Sequence, residues 1–406
     1  MELAFTVANL VITAIMGGIV GVWIYFIAYM SKSFRQAPTL ESSPPGGSIT
    51  TVTHLPKVSV ILPARNEERY VSRCLDSLLA QDYPNFEIIA INDSSADGTG
   101  QIMKGYAARD PRVVYVEAPA KPEGWAGKNW ACHQGYKHAK GDLLLFTDAD
   151  TKHSRSAMSM AVAQMLSQNL DALTAIPKLI CNDFWTKITL PALATFLHTR
   201  FSPLRVNDPN RKTGYFFGSF FAITRRTYEA VGTHEGVRQE LVEDGALGSK
   251  VKEGKFRLKM VRGEKQVEAV WARDLQTLWH GLRRLMIPIY HQNRVGAYLM
   301  TVAVFFILFA PFAFLPYLPF SVLANNMSFQ ILIDVQLAAV GLIMATTAVQ
   351  CRHGVFESPA YALAAPLSGA IISAGFLSAL ADARKKGAVT WRDRTYTVGE
   401  KQNPLS

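Results

Sequence analysis

The sequence predicts an α/β fold with a mainly parallel sheet, flanked at both ends by helices that cross a membrane. Three observations carry this. Between residues 57 and 270, short apolar runs alternate with helical patterns, as strand–helix units do. Short polar motifs follow those runs directly, and in parallel sheets ligands sit outside the carboxyl ends of the strands. Apolar residues, 49% of the 406, are concentrated toward the two ends.

The N-terminal segment, residues 1–30, is the first element. Leu3 to Met30 carries no charged side chain, and about 20 apolar residues suffice to span a bilayer. The chain opens Met1-Glu2 with no basic stretch, and the apolar run is too long for a signal peptide, so a retained anchor is expected. Residues 31–56 follow, with Ser42-Ser43-Pro44-Pro45-Gly46-Gly47, a linker composition.

In the middle region Val58 to Leu62 reads as a buried strand, and Glu68 to Gln81 as a helix with Val71, Leu75, Leu78 and Leu79 at helical spacing. Phe86 to Ile91, Val113 to Val116, Leu143 to Phe146 and Leu173 to Ile176 read as further strands. Residues 271–294 include Trp279, Leu282, Leu285, Met286 and Ile289 on one side with Arg283 and Arg284 nearby, an amphipathic helix suited to a membrane interface. In residues 295–382, Ala297–Leu323, Phe329–Val349 and Ala360–Leu380 are each near spanning length. The first contains Pro311, Pro316 and Pro319, which favours a kinked or re-entrant path. Residues 383–406 form a basic tail.

Lys32 and Arg35 after the first segment, and Arg384, Lys385 and Lys386 after the last, place the middle domain and tail in the cytoplasm by the positive-inside rule. Three C-terminal crossings would put the tail outside, so a segment that enters and returns is the expectation. The net charge of +10 suits an anionic lipid surface. No compact basic motif supports nucleic-acid binding. Cys74, Cys132, Cys181 and Cys351 form no CxxC pair, so neither a zinc nor a disulfide framework is indicated and reduced thiols are expected.

Four motifs carry chemistry. Pro63-Ala64-Arg65-Asn66-Glu67-Glu68 follows the first strand; it can meet a nucleotide, or Asn66 can cap a helix, and the residues alone do not separate the two. In Asn92-Asp93-Ser94-Ser95-Ala96-Asp97-Gly98-Thr99, Asp93 is placed to accept hydrogen bonds from a base or ribose, while Asp97 reads as a cap. Thr147-Asp148-Ala149-Asp150 sets two carboxylates after a buried strand, which is costly unless they are paired or bound to metal. A magnesium or manganese ion bridging to a diphosphate answers that cost. Glu243-Asp244 opens a helix, either as dipole complement or as a general base.

This ordered set resembles the family 2 inverting glycosyltransferases of GT-A fold. The resemblance implies that Pro63, Ala64, Asn66, Glu67, Asp93 and Asp148 bind a nucleotide-sugar donor of UDP type. It implies that Asp150, with Asp148, holds Mg2+ or Mn2+, and that Asp244 is the catalytic base of a single in-line displacement. Glu243, Gly218 and Trp279 are then acceptor-side or supporting residues. Gly124-Trp125-Ala126-Gly127-Lys128-Asn129-Trp130-Ala131-Cys132 and Gly387-Ala388-Val389-Thr390-Trp391-Arg392-Asp393-Arg394-Thr395-Tyr396 look like the membrane-bound branch that glycosylates lipids, the diaponeurosporenoate and hopene-associated type. By that analogy Lys128 reaches the donor phosphates at a helix N-terminus. The aromatic residues of Gly214 to Ala222 read as an ordinary core strand.

Processive family members carry Gln-x-x-Arg-Trp after the base, whereas here Asp274 to Arg284 holds Gln276 and Trp279 without that motif. Transfer of a single sugar to a membrane lipid at the cytoplasmic face is therefore expected ahead of polysaccharide synthesis. A non-catalytic scaffold is opposed by Asp93, Asp148, Asp150 and Asp244 occurring together. An ion-coupled transporter is opposed by apolar segments whose ionisable content is almost limited to Asp334.

Overall fold

The computed structural model describes residues 2–41, 55–317, 327–386, 388–391 and 394–397. It divides into two compact units. The α/β unit comprises Gln36–Ile180 and Phe201–Trp271; the helical unit comprises Met1–Arg35, Cys181–Arg200 and Ala272–Ser406. The middle domain expected over 57–270 is thus interrupted by the Phe184–Arg200 helix, a largely apolar segment that belongs to the helical unit.

The α/β unit is built on a seven-stranded sheet. In chain order its strands are β1 Val58–Ala64, β2 Phe86–Asn92, β3 Val113–Glu117 and β4 Leu143–Phe146, then β6 Ala172–Ile176, β8 Phe221–Thr224 and β9 Leu258–Arg262. A smaller sheet joins β5 Thr151–His153, β7 Lys178–Leu179 and β10 Val267–Ala269. The spatial order of the large sheet is β3-β2-β1-β4-β8-β6-β9, parallel throughout except at β8, which runs antiparallel to both neighbours. This is a GT-A-like α/β fold with a mainly parallel sheet.

Every residue of β2 and β4 is buried, which is why β4 and the Ile88–Ile91 stretch of β2 read as apolar runs and not as alternations. The two faces still separate by a period of two. Val60, Leu62 and Leu145 pack in one core, with Leu75 and Leu78 from the Val71–Leu79 helix. Ile61, Leu144 and Phe146 pack in the other, with Ala131 from the Gly127–His138 helix. That second helix lies close against the sheet because Gly135 has no side chain: a Cβ there would stand 2.5 Å from Cδ1 of Ile91.

Register sets the working edge. Ala64 pairs with Asn92, and Ile61 with Phe146, so the segments after β1, β2 and β4 leave the same edge of the sheet. Antiparallel β8 pairs Phe221 with Phe146, which brings the residues before it to that edge too.

In the helical unit, the helix Glu2–Gln36 continues past the apolar stretch into the expected linker. It ends before Pro38, whose ring disfavours a helical residue ahead of it. Leu40 is buried, and its N–H donates to the Arg262 carbonyl at 2.7 Å, both within the α/β unit. The Ser/Pro/Gly part of the linker, 42–54, lies outside the described residues. Three helical stretches among those described are long and apolar enough to cross a membrane: Asn9–Gln36, Phe329–Val355 and Pro359–Arg384. The first C-terminal apolar stretch differs. Its helix, Arg294–Leu308, has 15 residues, about 22 Å, shorter than a hydrocarbon core of about 30 Å. A new helix begins at Ala310 with Pro311 in its first turn, where the missing N–H does no harm.

The amphipathic helix runs Leu275–Gln292, started by a capping box in which Asp274 accepts from Thr277 N–H at 2.8 Å. Leu278, Leu282, Met286 and Tyr290, four residues apart, are buried. A Cβ on Gly375 of the Ala365–Lys386 helix would lie 2.8 Å from Leu282 Cδ1. Leu282 and Met286 of the expected apolar side are thus buried in the helical unit, while Trp279, Leu285 and Ile289 are half-buried. Trp23 is fully buried and donates its indole N–H to the Ile307 carbonyl at 3.0 Å. In the tail, Ala388–Trp391 pairs antiparallel with Arg394–Thr397; residues 387, 392–393 and 398–406 lie outside the described residues.

Candidate active site

The loops after β1 and β2 are laced into one surface. Arg65 Nη1 donates to the carbonyls of Asp93 and Ser94 at 2.7 and 2.9 Å. The Asn66 carboxamide oxygen accepts from Ala96 N–H at 2.8 Å, and Asn66 N–H donates to Ser95 Oγ at 3.1 Å. Asn66 and Ser94 both hold positive φ, 54° and 53°, an uncommon backbone that asparagine tolerates better than most residues. Asn66 therefore clips two loops and does not cap a helix, since the following helix begins at Val71 behind Tyr70. Asp97, expected as a cap, lies one residue ahead of the N-cap Gly98: its Oδ1 accepts from Thr99 N–H at 3.0 Å at the helix start, and its Oδ2 from Glu68 N–H at 3.2 Å in the facing loop. Pro63 and Ala64 close β1. Glu67 and Asp93 are buried at the strand ends, with 1% and 4% exposure.

Five residues from four separate segments meet at the same edge. The Gly127–His138 helix presents Lys128 in its first turn. Its ammonium lies 2.7 Å from Asp148 Oδ1 and 2.6 Å from Glu243 Oε1. Asp244, beside Glu243 in the first turn of the Glu243–Glu253 helix, accepts N–H donors from Gly218 at 2.9 Å and Gly245 at 2.8 Å. Gly218 closes the ring. A Cβ at that position would lie 2.8 Å from Lys128 Nζ, 3.0 Å from Asp244 Oδ2 and 3.2 Å from Asp148 Oδ2, so only glycine leaves all three side chains where they are.

The electrostatics follow from this grouping. Burial alone would lower the Lys128 pKa, but Asp148, Glu243 and Asp244 outweigh it and hold the ammonium well above its usual range. The Asp244 carboxyl is pushed up to about 6, by burial first and then by the charge of Glu243, with Lys128 opposing. A carboxyl near 6 is mostly ionised at pH 7 and still basic enough to take a proton from a hydroxyl. Buried Cys74 has its thiol pushed up by burial and then by Asp150, Asp148 and Glu67, so those three acids share one neighbourhood.

Asp148 and Asp150, one residue apart after β4, could offer oxygen ligands to a divalent cation. Among the described residues no group of three or more His, Cys, Asp or Glu is arranged to enclose a metal. Magnesium-type sites at phosphate-binding centres take one or two carboxylates from the protein and the rest from phosphate and water. Two hard carboxylates with no third protein ligand fit that pattern.

Sequence reading missed the supports behind this edge. Thr147 Oγ1 donates to the Ser219 carbonyl at 2.8 Å, and Phe217 N–H donates to Thr174 Oγ1 at 2.9 Å, so two buried threonines hold the segment carrying Gly218. His153 is buried with its pKa lowered to about 4 by desolvation. It is thus neutral, with its Nε2 3.1 Å from Thr147 Oγ1. These residues are ordinary strand and loop types, and no local pattern marks them. Trp279, expected near the acceptor, lies on the Leu275–Gln292 helix of the helical unit.

Comparison with known proteins agrees with this geometry. The model of glycosyl transferase family 2 matches residues 59–232. Two 4,4'-diaponeurosporenoate glycosyltransferases of Staphylococcus aureus, from strains bovine RF122 / ET3-1 and USA300, are 32% and 31% identical over 196 residues, 47% of this chain and 50% of each relative. The chain thus spans about half the length of the curated relatives it matches. A mannosyltransferase of Pyrobaculum calidifontis, solved with GDP-Man and Mn2+, shares the fold with a TM-score of 0.54 at 17% identity, over 91% of this chain and 99% of that one.

Proposed function

We propose, from the premise that residues 59–232 are a family 2 glycosyltransferase domain, that this protein moves a single sugar from a nucleotide-sugar donor to a membrane lipid, inverting the anomeric carbon. The observation that carries the proposal is the cluster of Lys128, Asp148, Glu243 and Asp244 around Gly218. It sets a cation for a diphosphate beside a carboxylate basic enough to deprotonate an acceptor.

In this reading the loops of Pro63 to Glu67 and Asp93, with Asp148, bind the nucleotide of a UDP-type donor. Lys128 turns from its carboxylate partners to the donor phosphates, helped by the positive end of its helix. Asp150, with Asp148, would hold Mg2+ or Mn2+, which as a Lewis acid neutralises charge on a departing diphosphate. Asp244 takes the proton of the acceptor hydroxyl as its oxygen bonds to the anomeric carbon. The bond from that carbon to the diphosphate oxygen breaks, and the electron pair leaves with the diphosphate. The Gly218 and Gly245 N–H groups keep the Asp244 carboxylate aimed.

The lipid acceptor rests on the apolar helices Asn9–Gln36, Phe329–Val355 and Pro359–Arg384, which we read as membrane-crossing with the α/β unit cytoplasmic. Lys32 and Arg35 near the C-terminal end of the first helix support that side. The relatives named for a carotenoid acid are in keeping with a lipid acceptor. The product decides between this reading and polymer synthesis. Incubation with a nucleotide sugar and a membrane lipid extract should yield, by mass spectrometry, lipids carrying one added sugar. A ladder of increasing sugar number would refute single transfer.

A further inference from the structure

Glu243 and Asp244 are reached by a strap that has little to hold it. Residues 238–242 form no helix or strand, and Arg238, Gln239 and Glu240 are exposed. Such a segment would ordinarily move, carrying the first turn of the Glu243–Glu253 helix with it. One buried side chain supplies two of the bonds that oppose this. Asn129, fully enclosed, donates from Nδ2 to the Val237 carbonyl at 2.6 Å and to the Glu240 carbonyl at 3.1 Å. Between those two points, Ala126 N–H donates to the Arg238 carbonyl at 2.6 Å.

The direction of the amide is fixed by these partners, since the reversed orientation would set its oxygen against two carbonyls. In the observed orientation Oδ1 is buried and has no hydrogen-bond partner among the described residues. Leaving a buried acceptor unmatched is costly, so the fold carries Asn129 for its donor fork. The neighbouring residue on the same helical turn is Lys128, whose ammonium holds Glu243 at 2.6 Å. The start of one helix thus presents the cation and grips the strap at Val237, Arg238 and Glu240.

We infer that Asn129 is a positioning residue: its buried amide locks the strap 237–242 so that Asp244 stands in fixed register with Lys128. The inference rests on the proposed role of Asp244 as base. Release of the strap leaves the nucleotide loops after β1 and β2 untouched, so donor binding and turnover should part company. It also admits water to Asp244, whose pKa then falls toward the ordinary carboxylate range.

The test uses the full-length protein in detergent, with Asn129→Ala and the isosteric Asn129→Asp, which turns the donor fork into oxygens. Calorimetric titration with UDP and GDP in the presence of Mn2+ counts folded, binding-competent molecules. Turnover per binding-competent molecule should fall by about 10- to 100-fold, the scale of a displacement of about 1 Å at a catalytic group. Nucleotide affinity should change by less than about threefold, a shift small beside a tenfold step. The acid limb of kcat against pH should move to lower pH. Wild-type turnover and an unmoved acid limb in both variants would overturn the inference, as would a loss explained wholly by fewer folded molecules. Asp244→Asn separates the two failures. If that variant turns over normally, the base assignment has failed; if it is inactive while the Asn129 variants are normal, only the positioning role has.

Discussion

Replacing Lys128 by Met keeps the side chain's length while removing the ammonium that sits 2.7 Å from Asp148 and 2.6 Å from Glu243. Lys128 Nζ and Asp244 Oδ2 both crowd the space beside Gly218, and so lie within about 6 Å, the range at which opposite charges shift a carboxyl pKa. At about 6 Å and an effective dielectric constant of about 20, two unit charges interact by about 3 kcal/mol, which is about two pKa units. The site is partly open to water, which screens the interaction, so about one unit of that should survive at Asp244. The direction is upward, because Lys128 now holds the Asp244 pKa down at about 6. At pH 7 the ionised fraction of the base should fall from about nine-tenths to about half. The assay is kcat for nucleotide release between about pH 5 and pH 9, at saturating donor so that lost phosphate affinity goes into KM. The acid limb should move from about 6 to about 7. A limb that stays in place, or moves down, would show that the Lys128 charge does not govern Asp244.

Three further predictions follow from the same cluster. Asp244→Asn should lose about 10²- to 10⁴-fold in kcat, the contribution of a general base, while UDP or GDP binding survives; full transfer would exclude the base role. That variant should also be more stable. The folded-state pKa of Asp244 lies at about 6 against 3.8, so between these values the folded protein alone keeps the proton, and stability falls as pH rises through that window. Above it the ionised carboxylate costs about 1 to 3 kcal/mol, discounted for partial exposure. The Tm gain of Asp244→Asn should therefore be largest above pH 6 and shrink toward pH 4; a gain independent of pH would refute the linkage. Gly218→Ala places a Cβ 2.8 Å from Lys128 Nζ and 3.0 Å from Asp244 Oδ2, and should cost about 100-fold in turnover by misplacing them, with wild-type turnover as the contrary result. Asp150→Ala should abolish the dependence of nucleotide affinity on Mn2+, measured by titration with and without the ion; an unchanged dependence would exclude Asp150 as a ligand.

The working edge was legible because its residues are short motifs tied to strand ends. Asp93, Asp148 and Asp150 follow apolar runs directly, and parallel pairing brings those ends together whatever the distance in sequence. Lys128 and Asp244 are about 116 residues apart, and their meeting depends on how a helix and a strap pack, which no local period encodes. Asn66 shows the limit in the other direction. Its residue type suits a cap, but it clips two loops from positive φ, a choice settled by the loop opposite it. β9 escaped notice because Leu258-Lys259-Met260-Val261-Arg262 is short and charged at its half-open positions. The Leu275–Gln292 helix was legible from its period, yet the period alone does not say which of its apolar residues meet protein; Leu282 does so opposite Gly375.

The most direct test of the central claim is release of free nucleoside diphosphate by the purified protein from a panel of UDP- and GDP-sugars, with Mn2+, in the presence and absence of a membrane lipid extract. Release that needs the lipid, occurs with one class of donor and disappears in Asp244→Asn is the predicted result. Lipid-independent release, or equal release by Asp244→Asn, would contradict transfer to a lipid through this base.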